Sequence, residues 1–204
     1  MVILGPADSG SGPVWAQEVS QRLLEPLGTR WSHTEGVATC ARLVGAVLEP
    51  GDADVLLAAA YLHDVGYAPE LVETGFHCVD GARFVRSCGH ERLAGLVAYH
   101  SGAAVEARER GLGSELAEFN DERSLVSQAL TYCDLTTDAT GQPVPPLERL
   151  AEIRRRYGPS AAETHALDRS EPTVMSNVRT IAALLAARGI DDRARQLRDV
   201  RSRG

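Results

Sequence analysis

The sequence predicts an all-α protein. Ala-, Leu-, Arg- and Glu-rich segments recur from Val14 onward with apolar positions three or four residues apart, β-branched alternation is scarce, and chain breakers fall between the segments. With 204 residues and 44% hydrophobic content the chain can bury one sizeable core, and a single domain is the expectation at this size.

Residues 1–13, rich in Gly, Pro and Ser, read as a flexible N-terminal arm. Helices are expected at about 14–26, 32–48, 52–64, 77–88, 90–100, 121–138, 146–157 and 173–188. In the second, His33, Val37, Cys40 and Val44 share one face, and Glu49-Pro50-Gly51 ends it. The third carries the apolar run Val55-Leu56-Leu57-Ala58-Ala59-Ala60 and stops near Gly66. Gly75 and Phe76 precede the fourth, which opens at His77; Gly89 separates it from the fifth, where Leu93, Leu96, Val97 and His100 are in phase, and Gly102 follows. The sixth brings Val126, Leu130 and Asp134 to one side at four-residue steps. The loop Gly141-Gln142-Pro143-Val144-Pro145-Pro146 leads to the last two helices, and the apolar stretch Val178 to Ala187 needs a surface to pack on. Residues 14–140 are therefore read as the core and 141–204 as a C-terminal helical extension on the same domain. Its Arg154-Arg155-Arg156 run and Arg/Asp-rich tail read as solvated face and frayed end, and the extension is expected to cap a pocket or form a homodimer interface.

A formal charge of −7 argues against coating a nucleic-acid polymer, which needs basic surface, but allows a small acidic substrate where a local cation supplies the charge. The basic residues are all arginine, which excludes any mechanism that needs a lysine. Cys40, Cys78, Cys88 and Cys133 show no CxxC spacing and no secretory segment precedes them, so buried thiols in a reducing cytoplasm are expected. No stretch approaches the roughly 20 apolar residues of a membrane span.

The stretch Tyr61 to Tyr67, YLHDVGY, ends an apolar helix on adjacent His and Asp. A lone inward histidine is more often a core residue bonded to a carbonyl than a ligand. Here His33, His100 and Asp134 also face inward, and His77 opens a helix. An ionised carboxylate is costly in a core unless paired or bound to a metal, and a divalent cation would satisfy all these groups at once. Successive helix residues project about 100° apart, so His63 and Asp64 reach one ion only off the helix end. Mixed imidazole and carboxylate ligation suits iron, manganese, zinc or nickel better than calcium.

The ordered set His33, His63-Asp64, His77, His100 and Asp134 resembles the HD-domain superfamily of metal-dependent phosphohydrolases. The resemblance spans about His33 to Asp138 through S-H-T-E-G-V-A, A-A-Y-L-H-D-V-G, F-H-C-V-D-G-A, V-A-Y-H-S-G and L-T-Y-C-D. It implies an HD-domain helical bundle in which His33, His63, Asp64 and Asp134 are the shared ligands, His77 and His100 complete a second site, and Asp64 bridges two ions. Iron or manganese is expected, with nickel, cobalt or zinc as alternatives. The pattern is most similar to the bacterial hydrolases of dinucleoside polyphosphates and less so to cyclic-dinucleotide phosphodiesterases. Tyr67 stands where many two-metal members have Lys, and Ser101 directly follows His100 where the cyclic-dinucleotide enzymes add a further histidine.

The expected activity is hydrolysis of a phosphomonoester or phosphoanhydride in a nucleotide or similar small phosphate by metal-activated water, with Asp64 and His63 at the reacting centre. Arg30, Arg83, Tyr67 and Ser101 are candidate substrate contacts; for each arginine, a surface role is the competing reading. His90 and His165 are read as surface residues. Two other functions fit the same ligands: an HD-fold di-iron oxygenase acting on a polyol or phosphonate, and a degenerate HD domain serving as a ligand-binding module.

Overall fold

In the computed structural model, which describes residues 12–190, helices account for all regular structure; an isolated bridge joins Thr137 and Pro143, and no strand forms among the described residues. Helix α1 (Gly12–Leu24) buries Trp15, Ala16, Val19, Leu23 and Leu24. Helix α2 (Thr29–Val44) buries His33, Val37, Cys40 and Val44, the face predicted from their phase. Pro50 starts α3 (Pro50–Leu62), its fixed φ and missing N–H suiting a first turn. Every residue of α3 from Ala58 to Leu62 is buried, because the helix packs on both α1 and α2 and lies at the centre of the bundle.

Helices α4 (His77–Ser87) and α5 (Glu91–Tyr99) form a hairpin around Gly89. Two short helices follow, α6 (Ala103–Glu109) and α7 (Gly113–Leu116), neither expected from the sequence. At 7 and 4 residues they are too short for periodicity to show; burial of Ala103, Ala107 and Leu116 holds them. Helix α8 (Leu125–Leu135) is shorter than its expected span of 121–138 because Ser124 caps it, its Oγ accepting from the Ser127 N–H at 3.2 Å.

Helix α9 (Pro146–Tyr157) matches expectation, whereas α10 (Ala162–Ala187) begins eleven residues before the expected 173 and runs through Pro172. A proline inside a helix costs about 3 kcal/mol. Ala166, Leu167 and Ser170 before it and Val174, Val178, Ile181 and Leu185 after it are all buried, so burial on both sides of Pro172 sustains the helix. Helix α10 packs on α8 and α6, and its apolar side chains join the same core as those of α1 to α8. Of the expected N-terminal arm, residues 1–11 lie outside the described residues and Gly12 and Pro13 open α1; residues 191–204 of the tail also lie outside. No helix among the described residues is long and apolar enough to cross a membrane.

Candidate metal centre and its cleft

Helix α3 ends at the polar pair. His63 is its C-terminal cap, and Asp64 leaves helical geometry at φ −106°, ψ 5° before the 3-10 turn Val65–Tyr67. The two side chains thus leave the end of the helix together. Gly66 allows this turn to lie against the first turn of α4: a Cβ there would stand 2.0 Å from the His77 carbonyl oxygen and 2.6 Å from the Gly81 nitrogen. Close backbone approach at Gly66 brings Asp64 and His77 into one site.

Four further elements meet there. Helix α2 supplies His33, the start of α4 His77, the turn after α5 His100, and the end of α8 Asp134. His33, His63, Asp64, His100 and Asp134 are buried, and His77 is half-buried. Asp64 faces two ways. Its Oδ2 lies 3.4 Å from His63 Nε2 and 4.0 Å from His33 Nε2, while Oδ1 lies 3.6 Å from His77 Nε2. On the second side His77 Nε2 and His100 Nε2 are 3.4 Å apart.

Backbone carbonyls fix how three of the rings face. Nδ1 of His33 lies 2.9 Å from Asp138 O, Nδ1 of His63 2.8 Å from Ala60 O, and Nδ1 of His100 2.7 Å from Val97 O. A carbonyl only accepts, so each Nδ1 carries the proton and donates, leaving a lone pair on Nε2 in the neutral ring.

That arrangement fits cations. His33 Nε2 stands 3.0 Å from Asp134 Oδ1, two acceptors that repel unless a proton or a metal lies between or beside them. His63 Nε2 is buried and has no hydrogen-bond partner. Within the described residues, ligand atoms of His33, His63 and Asp64 lie within 4.8 Å of one another, as do those of His77, Cys78 and His100. The protonation states also suit ligation. Burial pushes His77 down to about 3 and lowers His100, so both are neutral near pH 7. Burial pulls Asp64 upward, but Arg30 and His63 outweigh it and hold the carboxylate well below its usual range; burial is likewise outweighed at Asp134, chiefly by His33. His63 runs the other way: burial is overcome by the Asp64 carboxylate, which raises it and favours a proton that a cation would have to displace.

The predicted substrate contacts separate into two groups. Arg30 Nη1 donates to Asp64 Oδ2 at 2.6 Å, and its guanidinium lies 3.9 Å from the centre of the Tyr67 ring. Tyr67 stacks on His77 with centroids 4.1 Å apart and an interplanar angle of 16°, and its hydroxyl is 3.4 Å from that of Tyr157. Ser101 holds a positive φ of 46° and donates from Oγ to Asp134 Oδ2 at 2.5 Å, so it orients a ligand as well as lining the cleft. Arg83 does not reach the cleft. It lies on the surface, ion-paired to Glu73 at 3.2 Å and Glu118 at 2.5 Å, because one and a half turns after His77 the side chain points away from the helix face that carries the ligands.

The cleft holds about 740 Å³ of empty space, its open mouth included. The C-terminal extension supplies part of its wall: Arg149, Arg156 and Tyr157 of α9 and Leu167 and Ser170 of α10. Sequence reasoning missed Arg149 and Tyr157; of the run read as a solvated face, Arg155 and Arg156 are exposed as expected, Arg156 also lining the cleft, while Arg154 pairs with Asp168 and Glu171. The one sequence signal for this wall was an arginine-rich helix in a chain whose substrate was expected to be anionic. Cys78 also lines the cleft, 3.4 Å from His77 Nε2. Cys40, Cys78 and Cys133 are buried as expected, and Cys88 is half-buried. His165 is exposed as expected; His90 instead packs half-buried against Trp15, ring centroids 4.2 Å apart.

The site is that of an all-helical protein with an imidazole and carboxylate centre suited to divalent cations. The chain belongs to the HD domain family, which matches residues 30–137, from Arg30 to Thr137. Comparison with curated proteins and with solved structures returned no match. The family is mostly one of metal-dependent hydrolases, and the matched segment contains all six ligand candidates.

Proposed function

We propose that this protein is a metal-dependent phosphohydrolase acting on a phosphomonoester or phosphoanhydride bond of a nucleotide or similar small phosphate, akin to the dinucleoside polyphosphate hydrolases. One observation supports this above the others: His33, Asp64, His77, His100 and Asp134 line a cleft that Arg149 and Arg156 also line, and His63, the sixth donor, lies buried beside them with no hydrogen-bond partner at Nε2. Cations at the ligands and guanidinium groups elsewhere in the same cleft suit an anionic phosphate substrate.

In this reading His33, His63, Asp64 and Asp134 would hold one ion, and His77, His100 and Asp64 the other. When bound, such ions lower the pKa of coordinated water and neutralise charge on phosphoryl oxygens; iron or manganese suits the donor set, with nickel, cobalt or zinc as alternatives. The protein's own contribution is position and charge. The Nδ1–H bonds of His33, His63 and His100 keep their Nε2 lone pairs aimed inward, Ser101 holds Asp134, and Arg30 donates to Asp64 at the edge of the cleft.

The test is protein purified without chelator, assayed for metal content, then reconstituted anaerobically with Fe(II) or Mn(II) and presented with nucleotides and small phosphate esters. Metal-dependent phosphate release without oxygen is expected. Oxygen consumption with polyols or phosphonates and no phosphate release would replace this reading with the oxygenase one. Failure to bind any metal would leave a ligand-binding module.

A further inference from the structure

Beside the metal centre, and sharing a wall with its cleft, lies a second cavity of about 490 Å³ of empty space, its mouth included. Its lining is Thr29, Arg30, His33, Ala139, Arg149 and Arg156: three guanidinium groups and no carboxylate. Arg30, His33, Arg149 and Arg156 line both cavities, so a ligand can extend from one into the other. Thr29 and Arg30 form the first turn of the 16-residue α2, whose free N–H groups and positive dipole end favour an anion.

Arg149 gives the independent indication. Its side chain is buried, yet its Nε has no hydrogen-bond partner. A buried guanidinium with a free N–H is costly unless something accepts from it. The other ends of the cluster are only partly compensated: Arg149 Nη1 and Arg156 Nη2 both bond the one carboxylate of Glu152, and Arg149 Nη2 is 3.8 Å from Asp134. Arg30 pairs with Asp64. Both aspartates are proposed ligands, so cations binding there would compete for the carboxylates that now face Arg30 and Arg149.

Resting on the reading above, we propose that this side cavity is a second phosphate subsite, and hence that the substrate carries at least two linked phosphates. The phosphoryl group to be cleaved lies at the six donors, and its neighbour is bound by Arg30, Arg149 and Arg156. This selects the phosphoanhydride over the monoester among the substrates considered. Arg149 and Arg156 lie beyond the segment that matches the HD family, so two of the subsite's three arginines come from this chain's C-terminal extension.

The experiment is calorimetric titration of Mn(II)-loaded protein with methylenediphosphonate and with methylphosphonate, metal content being measured in every variant. The diphosphonate is expected to bind at least about tenfold more tightly than the monophosphonate. Arg156→Ala and Arg149→Gln should bring that ratio below about threefold while changing monophosphonate affinity little. Arg155→Ala, which removes the same charge from an exposed position outside both cavities, should leave the ratio unchanged. If Arg149→Gln melts early, Arg156→Ala decides. A ratio near one in the unaltered protein overturns the subsite, as does a ratio that survives both substitutions, which would trace the tighter binding to chelation at the metals. So does an equal loss in Arg155→Ala. The titrations need no turnover: a protein with the subsite and no phosphate release would retain this inference and lose the hydrolase reading, and a monoesterase without the ratio would do the reverse.

Discussion

The ligand floor of the cleft and its arginine wall are built by different means. On the floor, two of the three fixed imidazoles are set by carbonyls only three residues away, His63 by Ala60 and His100 by Val97. On the wall, Arg149 and Arg156 reach the site because α9 returns across the bundle with α10, which packs on α8 and α6. Floor geometry is thus largely a local property of helix ends, and wall geometry is a tertiary one. The difference assigns them separate duties in the proposed function: the floor binds the cations, and the wall selects what is brought to them.

The strongest way to break that division is at Asp64. Since its two oxygens face the two halves of the floor, Asp64→Ala should empty both metal positions and lower activity by on the order of a thousandfold or more. His77→Ala should mainly empty the half it shares with His100. Metal analysis of the purified variants checks this; equal loss of both ions from His77→Ala, or retention of either ion in Asp64→Ala, would refute two half-sites joined by Asp64.

Acid should separate floor from wall next. Burial depresses His77 to about 3 and lowers His100. Unfolded, both return to about 6.5, so below that pH the unfolded state binds more protons than the folded one. Stability from these two groups is complete above about 6.5 and is lost as pH falls toward 3, with the depressed Asp64 and Asp134 adding loss in the same direction at lower pH. His63, raised by Asp64, acts in the opposite sense, its contribution being lost as pH rises through its folded value. Thermal melts of metal-free protein from about pH 7.5 to 4 should show a falling midpoint, flattened by His77→Gln. Arg156→Ala should shift the curve without changing its slope, because a guanidinium does not titrate there.

The same contrast explains what was legible in the sequence. The six donors could be read because each sits at a helix phase or a helix end that apolar periodicity and breakers reveal, and because the cost of inward carboxylates points to a cation. Arg83 was misplaced although its spacing already spoke against it: six residues after His77 is about 240° around α4, away from the ligand face. Helix α10 was started too late because Pro172 signals a break locally, and only burial on both sides of it says otherwise. Arg149 was missed entirely: a single arginine in a polar helix carries no sign that it is buried until the fold brings α9 onto the cleft.

Ser101 joins floor chemistry to a strained backbone. Its hydroxyl holds Asp134 Oδ2, and groups that orient a ligand typically contribute about 10- to 100-fold to metal affinity or activity. Ser101→Ala should lower the affinity of the His33 half by about tenfold and leave the His77 half unchanged. Competition with a metal-sensitive dye checks it. Ser101→Gly, which relieves the φ of 46° but also lacks the hydroxyl, should match the alanine variant in affinity and exceed it in thermal stability.

The smallest effect lies at the residue where floor and wall meet. Tyr67 belongs to the turn after Asp64, yet it touches both sides: its ring stacks on His77 and lies under Arg30, and its hydroxyl is near Tyr157 of α9. The hydroxyl contact, at 3.4 Å, is long for an O–H···O bond and contributes little, whereas the ring restrains a ligand and a phosphate contact together. Tyr67→Phe should therefore leave metal content unaltered and change KM by less than about threefold. Tyr67→Leu removes the stack and should loosen His77, lowering occupancy of its half of the floor while the His33 half stays filled. A Phe variant as impaired as the Leu variant would place the hydroxyl, not the ring, on the substrate, and Tyr67 would then belong with the wall.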